Sequence, residues 1–241
     1  MITRTSGIVL QKLKYSDSGV IIQAYTEKLG RLSLFARVSR SRKTGRQAVH
    51  MQPLAILDLI FYYRESRSLQ TLKEFTVEYM PSDIHSNLVK SSVALFLGEV
   101  LMSVLREESP QEDLFDYLTK SITYLDTRKE GCPNFHIAFL SGLCSYLGFE
   151  PGRNYSEVNR YLDMVNGTFV AIPPAHGNYA GAETSSILAD FFNSSWDNMN
   201  RITLTGSQRF GILEEILRYY SIHLPSLRKI KSLEVLREVF G

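Results

Sequence analysis

Two hydrophobic periods divide this chain. From Gly7 to Tyr79 apolar and polar residues alternate in short runs, the period of a half-buried strand. Arg31 to Val38 alternates most cleanly: Leu32, Leu34, Ala36 and Val38 share one face, and Arg31, Ser33, Phe35 and Arg37 the other. Gly7 to Leu13 and Val20 to Thr26 read as strands on either side of a turn cluster, Tyr15 to Gly19, rich in Ser, Asp and Gly. Glu27 to Gly30 reads as a hairpin turn. Leu54 to Tyr63 puts Ala55, Leu57, Leu59, Phe61 and Tyr63 on one apolar face, with Asp58 and Tyr62 opposite. A polar loop, Arg64 to Ser68, leads to a fifth strand, Leu69 to Tyr79. Five short strands without a long helix predict a small closed barrel, because closure removes exposed strand edges.

Beyond Met80-Pro81 the period becomes helical. Ser82 or Asp83 is placed to cap a helix. Leu88, Ser92, Leu95, Phe96, Glu99, Val100, Met102 and Leu105 fit one long amphipathic helix. A second opens at Pro110 to Asp113, with Leu114, Phe115, Leu118, Ile122 and Leu125 as its apolar face. Phe135 to Leu147 makes a third, stopped by Gly148. Residues 150–183, rich in Gly and Pro, read as an irregular insert with Tyr155, Tyr161, Leu162, Phe169 and Ile172 as anchors. Thr184 to Phe192, Ser207 to His223, and Leu224 to Phe240 complete the helices, with Pro225 in a first helical turn. The expected class is α+β: a five-stranded OB-fold barrel over 1–80 followed by a mainly helical domain over 81–241.

Charge sharpens this division. The first eighty residues carry thirteen Lys and Arg against six Asp and Glu, and the remainder fourteen against nineteen. A basic barrel joined to a mildly acidic helical part predicts a polyanionic ligand for the barrel. No run of about 18 apolar residues is present, so no membrane partner is expected. The N-terminus lacks the features of a signal peptide. Two cysteines, Cys132 and Cys144, suit a reducing compartment, and the location expected is cytoplasmic and nucleoid-associated.

Single strands are held by cations for phosphates and aromatic faces for bases. Arg37, Arg40, Arg42, Lys43 and Arg46 gather near the end of the third strand. Arg64 and Arg67 lie in another loop, and Arg31, Phe35 and Tyr62 face away from the apolar side of their strands. These ten residues are the candidate DNA-binding set. Phe35 and Tyr62 have a second reading, as packing against the helical domain. No nucleophile elbow, phosphate-cradling glycine loop or carboxylate cluster is legible, so no catalytic residue is assigned.

Thr5 to Ser18, then Tyr25 to Gly30, then Ala36-Arg-Val-Ser-Arg-Ser-Arg-Lys43, resemble the bacterial RecO family in order and spacing. Leu69 to Glu74 fits its fifth strand, and the likeness continues more weakly beyond Pro81. The resemblance implies an OB-fold that binds single- and double-stranded DNA, anneals complementary strands and helps load the RecA recombinase. It implies RecR and the acidic C-terminal tail of single-stranded-DNA-binding protein as partners. Such a tail needs an apolar pocket rimmed by cations, for which Arg128, Lys129, Arg153, Arg160, Arg201, Arg209, Arg218, Arg228 and Lys229 are available. Many relatives carry a four-cysteine zinc site after the third helix. Residues 150–183 hold no cysteine here, and His136 and His176 read better as packing and surface residues, so no metal or other cofactor is expected. Two other readings stay open: an RNA-associated OB-fold adaptor, and an enzyme using Tyr155, Asp163 or His176.

Overall fold

A computed structural model describes residues 1–37, 48–105, 110–129, 132–196 and 198–240. The chain divides into two compact units, Met1–Thr127 with Lys229–Leu233, and Arg128–Arg228 with Glu234–Gly241.

The first unit contains the expected barrel. Its strands are β1 (Ile2–Ser16), β2 (Gly19–Thr26), β3 (Gly30–Arg37), β4 (Ile56–Tyr62) and β5 (Leu69–Tyr79). Their order around the closed barrel is β1-β2-β3-β5-β4. All pairs are antiparallel except β3 with β5, which run parallel over Ser33–Phe35 and Leu69–Thr71. The interior is filled by the alternating residues, among them Val9, Ile22, Leu34, Leu57, Leu59 and Phe61, all 0% exposed. Burying each such side chain stabilises the fold by about 1.5–3 kcal/mol. The fourth strand begins two residues later than the pattern predicts. Leu54 takes φ 66°, a left-handed value that interrupts an extended strand. Its N–H donates to Val9 O at 2.7 Å, and Val9 N–H donates to Ala55 O at 2.9 Å, so this bend is held against β1.

Three helices belong to the same unit: α1 (Ser82–Ser86), α2 (Leu88–Val104) and α3 (Glu112–Thr127). Neither Ser82 nor Asp83 caps α1. The Asp126 carboxylate does so from afar, accepting the N–H groups of Asp83 and Ile84, both at 2.9 Å, and the Tyr79 hydroxyl at 2.7 Å. Asn87 caps α2 by accepting Lys90 N–H. The α2 pattern differs from the single apolar face expected. Leu88 and Leu95 are 76% and 50% exposed, while Val93, Leu97, Leu101 and Val104 are buried. Gly98 explains the difference, because it seats the helix directly on β1. A Cβ there would lie 2.8 Å from Leu10 O. The α3 face is as expected, with Leu114, Phe115, Leu118, Ile122 and Leu125 buried.

The second unit holds α4 (Phe135–Tyr146), α5 (Ala182–Phe192), α6 (Gly206–His223) and part of α7 (Ser232–Phe240). The expected helix from Leu224 is shorter by eight residues, and Pro225 lies in a turn rather than a first helical turn. A residue before proline is pushed out of the helical region, and Leu224 sits at φ −124°, ψ 85°. The Glu99 carboxylate holds the segment before α7, accepting Lys231 N–H, Ser232 N–H and the Ser232 hydroxyl at 2.9, 2.8 and 2.6 Å.

The insert is not irregular throughout. It carries a sheet of order β7-β6-β8, from β6 (Tyr161–Asp163), β7 (Thr168–Val170) and β8 (Tyr179–Ala180). Strands of two or three residues leave no alternation to read, and side chains complete their pairing. Asn154 bonds both backbone groups of Phe169. Ser185 accepts Leu162 N–H and donates to Ala180 O. Leu162 and Phe169 are buried anchors as expected, and Tyr155 and Tyr161 meet Phe169 and Tyr179 edge to face. Ile172 is 78% exposed and anchors nothing.

Two expectations follow. Gly98→Ala drives a Cβ into a backbone oxygen and lowers stability by about 1–3 kcal/mol. Gly211→Ala, inside α6 with nothing within 4 Å, raises it by about 0.5–1 kcal/mol; urea melts of both variants give the opposite signs. The second concerns acid. Burial pushes the Glu99 carboxyl up, but the Ser232 hydroxyl and the two N–H groups outweigh it and hold it below its ordinary value. A carboxylate lowered on folding contributes stability above its unfolded pKa and loses it as pH falls through the folded one. Glu99→Gln therefore destabilises at neutral pH, and its melts converge on those of the unsubstituted chain as pH falls below about 4.

Candidate nucleic-acid interface

Every second residue of a barrel strand points outward, and cross-strand register decides which of them are neighbours. Two outward rows of this barrel differ in what covers them. Ile8 stands opposite Tyr25, and Tyr25 opposite Arg31. Tyr25 is 2% exposed and stacks on Phe115 of α3, ring centroids 6.4 Å apart. Arg31 donates from its guanidinium to Met102 O in the last turn of α2, where the helix dipole favours a cation. Arg31 thus joins the barrel to its own helices and lies apart from the other candidates.

The second row runs Leu13, Ile21, Phe35, Thr71, Tyr62 and Ile2 across β1, β2, β3, β5, β4 and back to β1. The two candidate aromatics, Phe35 and Tyr62, therefore share one row with only Thr71 between them. Tyr62 is 47% exposed, Thr71 is exposed and Phe35 half-buried. Within this unit the aromatic that packs under the helices is Tyr25, a residue the alternation did not single out.

Tyr15 joins this row through a register shift between Lys14 and Ser16. Such a bulge leaves one residue unpaired and re-aims its side chain. The Tyr15 ring meets Phe35 edge to face at 5.7 Å and is 63% exposed. Gly19 makes room for the pair, since a Cβ there would lie 2.4 Å from Phe35 Cε2. Tyr15 was legible only as part of a turn, because a bulge breaks the period from which faces are read.

Cations flank the row. Arg37 is exposed two residues beyond Phe35 on the same outward face. Arg64 and Arg67 are exposed on the loop after β4, whose backbone is held by the buried side chain of Gln70. Gln70 accepts Arg64 N–H at 2.8 Å and donates to Arg64 O and Arg67 O. Acids border the row as well: Glu65 is exposed between Arg64 and Arg67, and Asp17, two residues after Tyr15, is exposed and paired with Lys14 at 3.9 Å. Asp58 is bound by Arg4 at 2.7 Å, and Glu78 accepts the Ser6 hydroxyl. The Arg4 hydrogen bonds hold the Asp58 carboxyl below its ordinary value, which keeps both charges engaged with each other. Arg40, Arg42, Lys43 and Arg46 lie outside the described residues.

The second unit has its own concave site. A cavity of about 240 Å³ lies between α6 and α7, with Phe210, Leu213 and Leu236 as its apolar wall. The Arg237 guanidinium sits 5.1 Å over the Phe210 ring. Arg209, also in the wall, donates to Asn134 Oδ1 and Leu204 O. His136 lies at the same cavity, and burial pushes its imidazole down to about 3, so it is neutral at physiological pH. Of the cations named from sequence, Arg209 is brought here. Arg153 pairs with Glu150, Arg160 lies over Tyr161, and Arg218 binds Glu215 and Gly177 O. Arg237 was missed, because a cation on a short terminal helix has no sequence signal of its own.

The residues present do not fit a four-cysteine zinc site. Cys144 is 0% exposed and donates to Leu140 O within α4. His176 meets Asp163 at 3.3 Å, and Asp163 also accepts the N–H groups of Val165 and Asn166. Hydrogen bonds occupy these side chains as the fastening of the small sheet.

The sequence matches the family model described as Recombination protein O N terminal over residues 1–80, and Recombination protein O C terminal over residues 85–234. DNA repair protein RecO of Bacteroides fragilis is 37% identical over 241 residues, covering the whole of both chains. The RecO proteins of Phocaeicola vulgatus and Porphyromonas gingivalis are 35% and 32% identical, again over the full length of each. With both halves matched in order and relatives aligned from end to end, this chain belongs to the RecO family.

Proposed function

We propose that this chain is a recombination mediator in DNA repair, acting in the cytoplasm at the nucleoid. Its barrel domain, residues 1–80, binds single- and double-stranded DNA and anneals complementary strands. Its helical domain, residues 81–241, binds protein partners and assists RecA loading on DNA coated by single-stranded-DNA-binding protein. The observation that carries this reading is the outward row with Phe35 and Tyr62, flanked by Arg37, Arg64 and Arg67, with the Asp58 charge engaged by Arg4. The basic residues Arg40, Arg42, Lys43 and Arg46 follow Arg37, the last residue of β3, in the sequence. Annealing then needs no nucleophile. Cations screen the repulsion between two phosphate backbones and release counterions, and stacking on a ring accepts any base. This fits a family of non-enzymatic mediators.

Partner binding rests on the α6–α7 cavity. An acidic tail ending in an aromatic residue fits an apolar wall of Phe210, Leu213 and Leu236 with Arg237 at its rim. RecR is the second partner implied by the family.

Replacing Arg40, Arg42 and Lys43 together by Ala weakens DNA of every sequence alike and lowers the salt dependence of single-strand binding by about 2 in log–log slope. Fluorescence anisotropy across a salt series measures both, and unchanged affinity at low salt refutes the assignment. For the cavity, Arg237→Glu weakens a fluorescent acidic peptide with a terminal Phe by about tenfold or more, since the change both removes a cation and adds a repelling charge. Equal peptide affinity in that variant removes the cavity from the proposal, while DNA binding by the barrel is unaffected.

A further inference from the structure

We infer that Tyr15 makes this protein discriminate single-stranded from duplex DNA, by offering a base-stacking ring that only an unpaired strand can use. The inference rests on the reading of the barrel's outer face as a nucleic-acid surface, and adds to it the residue that sets substrate class.

Three features of the structure converge on Tyr15. The bulge between Lys14 and Ser16 takes it out of strand pairing, so its orientation is not dictated by the alternation of β1. Its ring is 63% exposed although it contacts Phe35 edge to face at 5.7 Å. A large aromatic set upright against another, with most of its surface in water, presents a flat face to solvent instead of burying it. Gly19 is the third feature. Phe35 lies so close above it that any side chain at that position would collide with the ring. The position of Phe35, and through it the support of Tyr15, thus depends on a missing Cβ.

Spacing extends the argument. Tyr62 lies two strands from Phe35 in the same row, so about 10 Å away at an inter-strand distance of about 4.8 Å. Tyr15 touches Phe35, and Tyr62 follows beyond Thr71 in the same outward row, with Arg37 two residues from Phe35 and Arg64 two residues from Tyr62 along the chain. A single strand lying along this row places bases against rings and phosphates against guanidiniums. A duplex offers the same phosphates, but its bases are stacked on one another, and presenting one to Tyr15 requires breaking that stack. Cations therefore bind both forms, whereas the exposed ring rewards one.

The test uses the full chain with a labelled single-stranded oligonucleotide and a labelled duplex at one salt concentration. Tyr15→Ala weakens the single strand about tenfold, the scale of one lost base–aromatic stack, and leaves the duplex unchanged. Tyr15→Phe keeps the ring and restores single-strand affinity. Gly19→Ala displaces Phe35 and gives the same selective loss, with thermal melts confirming that each variant is folded. Equal losses on both DNAs, or none on either, overturn the selector role. A double variant, Arg37→Ala with Arg64→Ala, runs alongside and loses affinity for both forms. Should it lose neither, the nucleic-acid reading of the face falls as well; should it lose both while Tyr15→Ala is silent, only the selector role falls.

Discussion

A closed five-stranded barrel must send every second side chain outward, and the use of that outward surface governs the rest of this molecule. One sector is spent on the chain's own helices. Gly98 lets α2 lie on the backbone of β1 at Leu10, Tyr25 stacks on Phe115, and Arg31 closes on Met102 O. The other sector, from Leu13 across to Tyr62, stays open within this unit. The same alternation that fills the interior with Val9, Leu57 and Phe61 thus also divides the exterior into a part covered by helices and a part open within this unit.

Polar side chains do the joining that apolar burial cannot. Asp126 ties the end of β5 to the start of α1, and Glu99 holds the segment before α7. Each accepts three donors, and for Glu99, held below its ordinary value, the arrangement brings sensitivity to acid. In the second unit Asn154, Asp163 and Ser185 fasten a sheet whose strands are too short to hold themselves. These hydrogen bonds work with the buried Leu162 and Phe169 to fix the small insert.

The division of tasks proposed for the two units follows the same logic. An extended polyanion needs a long surface of repeated weak contacts, which a row across strands provides. A short peptide end needs a concave apolar site with few oriented charges, and the gap between α6 and α7 supplies one. Neither task requires a group of shifted pKa poised for proton transfer. The His136 imidazole and the Cys144 thiol are displaced mainly by burial, as expected of packing residues.

Alternation and helical period by themselves determined the five strands, the succession of a barrel by helices, the α3 face and the outward placement of Phe35, Arg37 and Tyr62, because these depend on neighbours two to four residues apart. The order of short motifs from Thr5 to Glu74 was likewise enough to point to the RecO family. Only the tertiary structure decided that Arg31 serves the helices, that Tyr15 meets Phe35, that Ile172 stays exposed, and that Arg237 rims a cavity. Each of those depends on a bulge, a glycine clearance or a contact between distant segments, and such pairings arise from closure and packing, which leave no period in the chain.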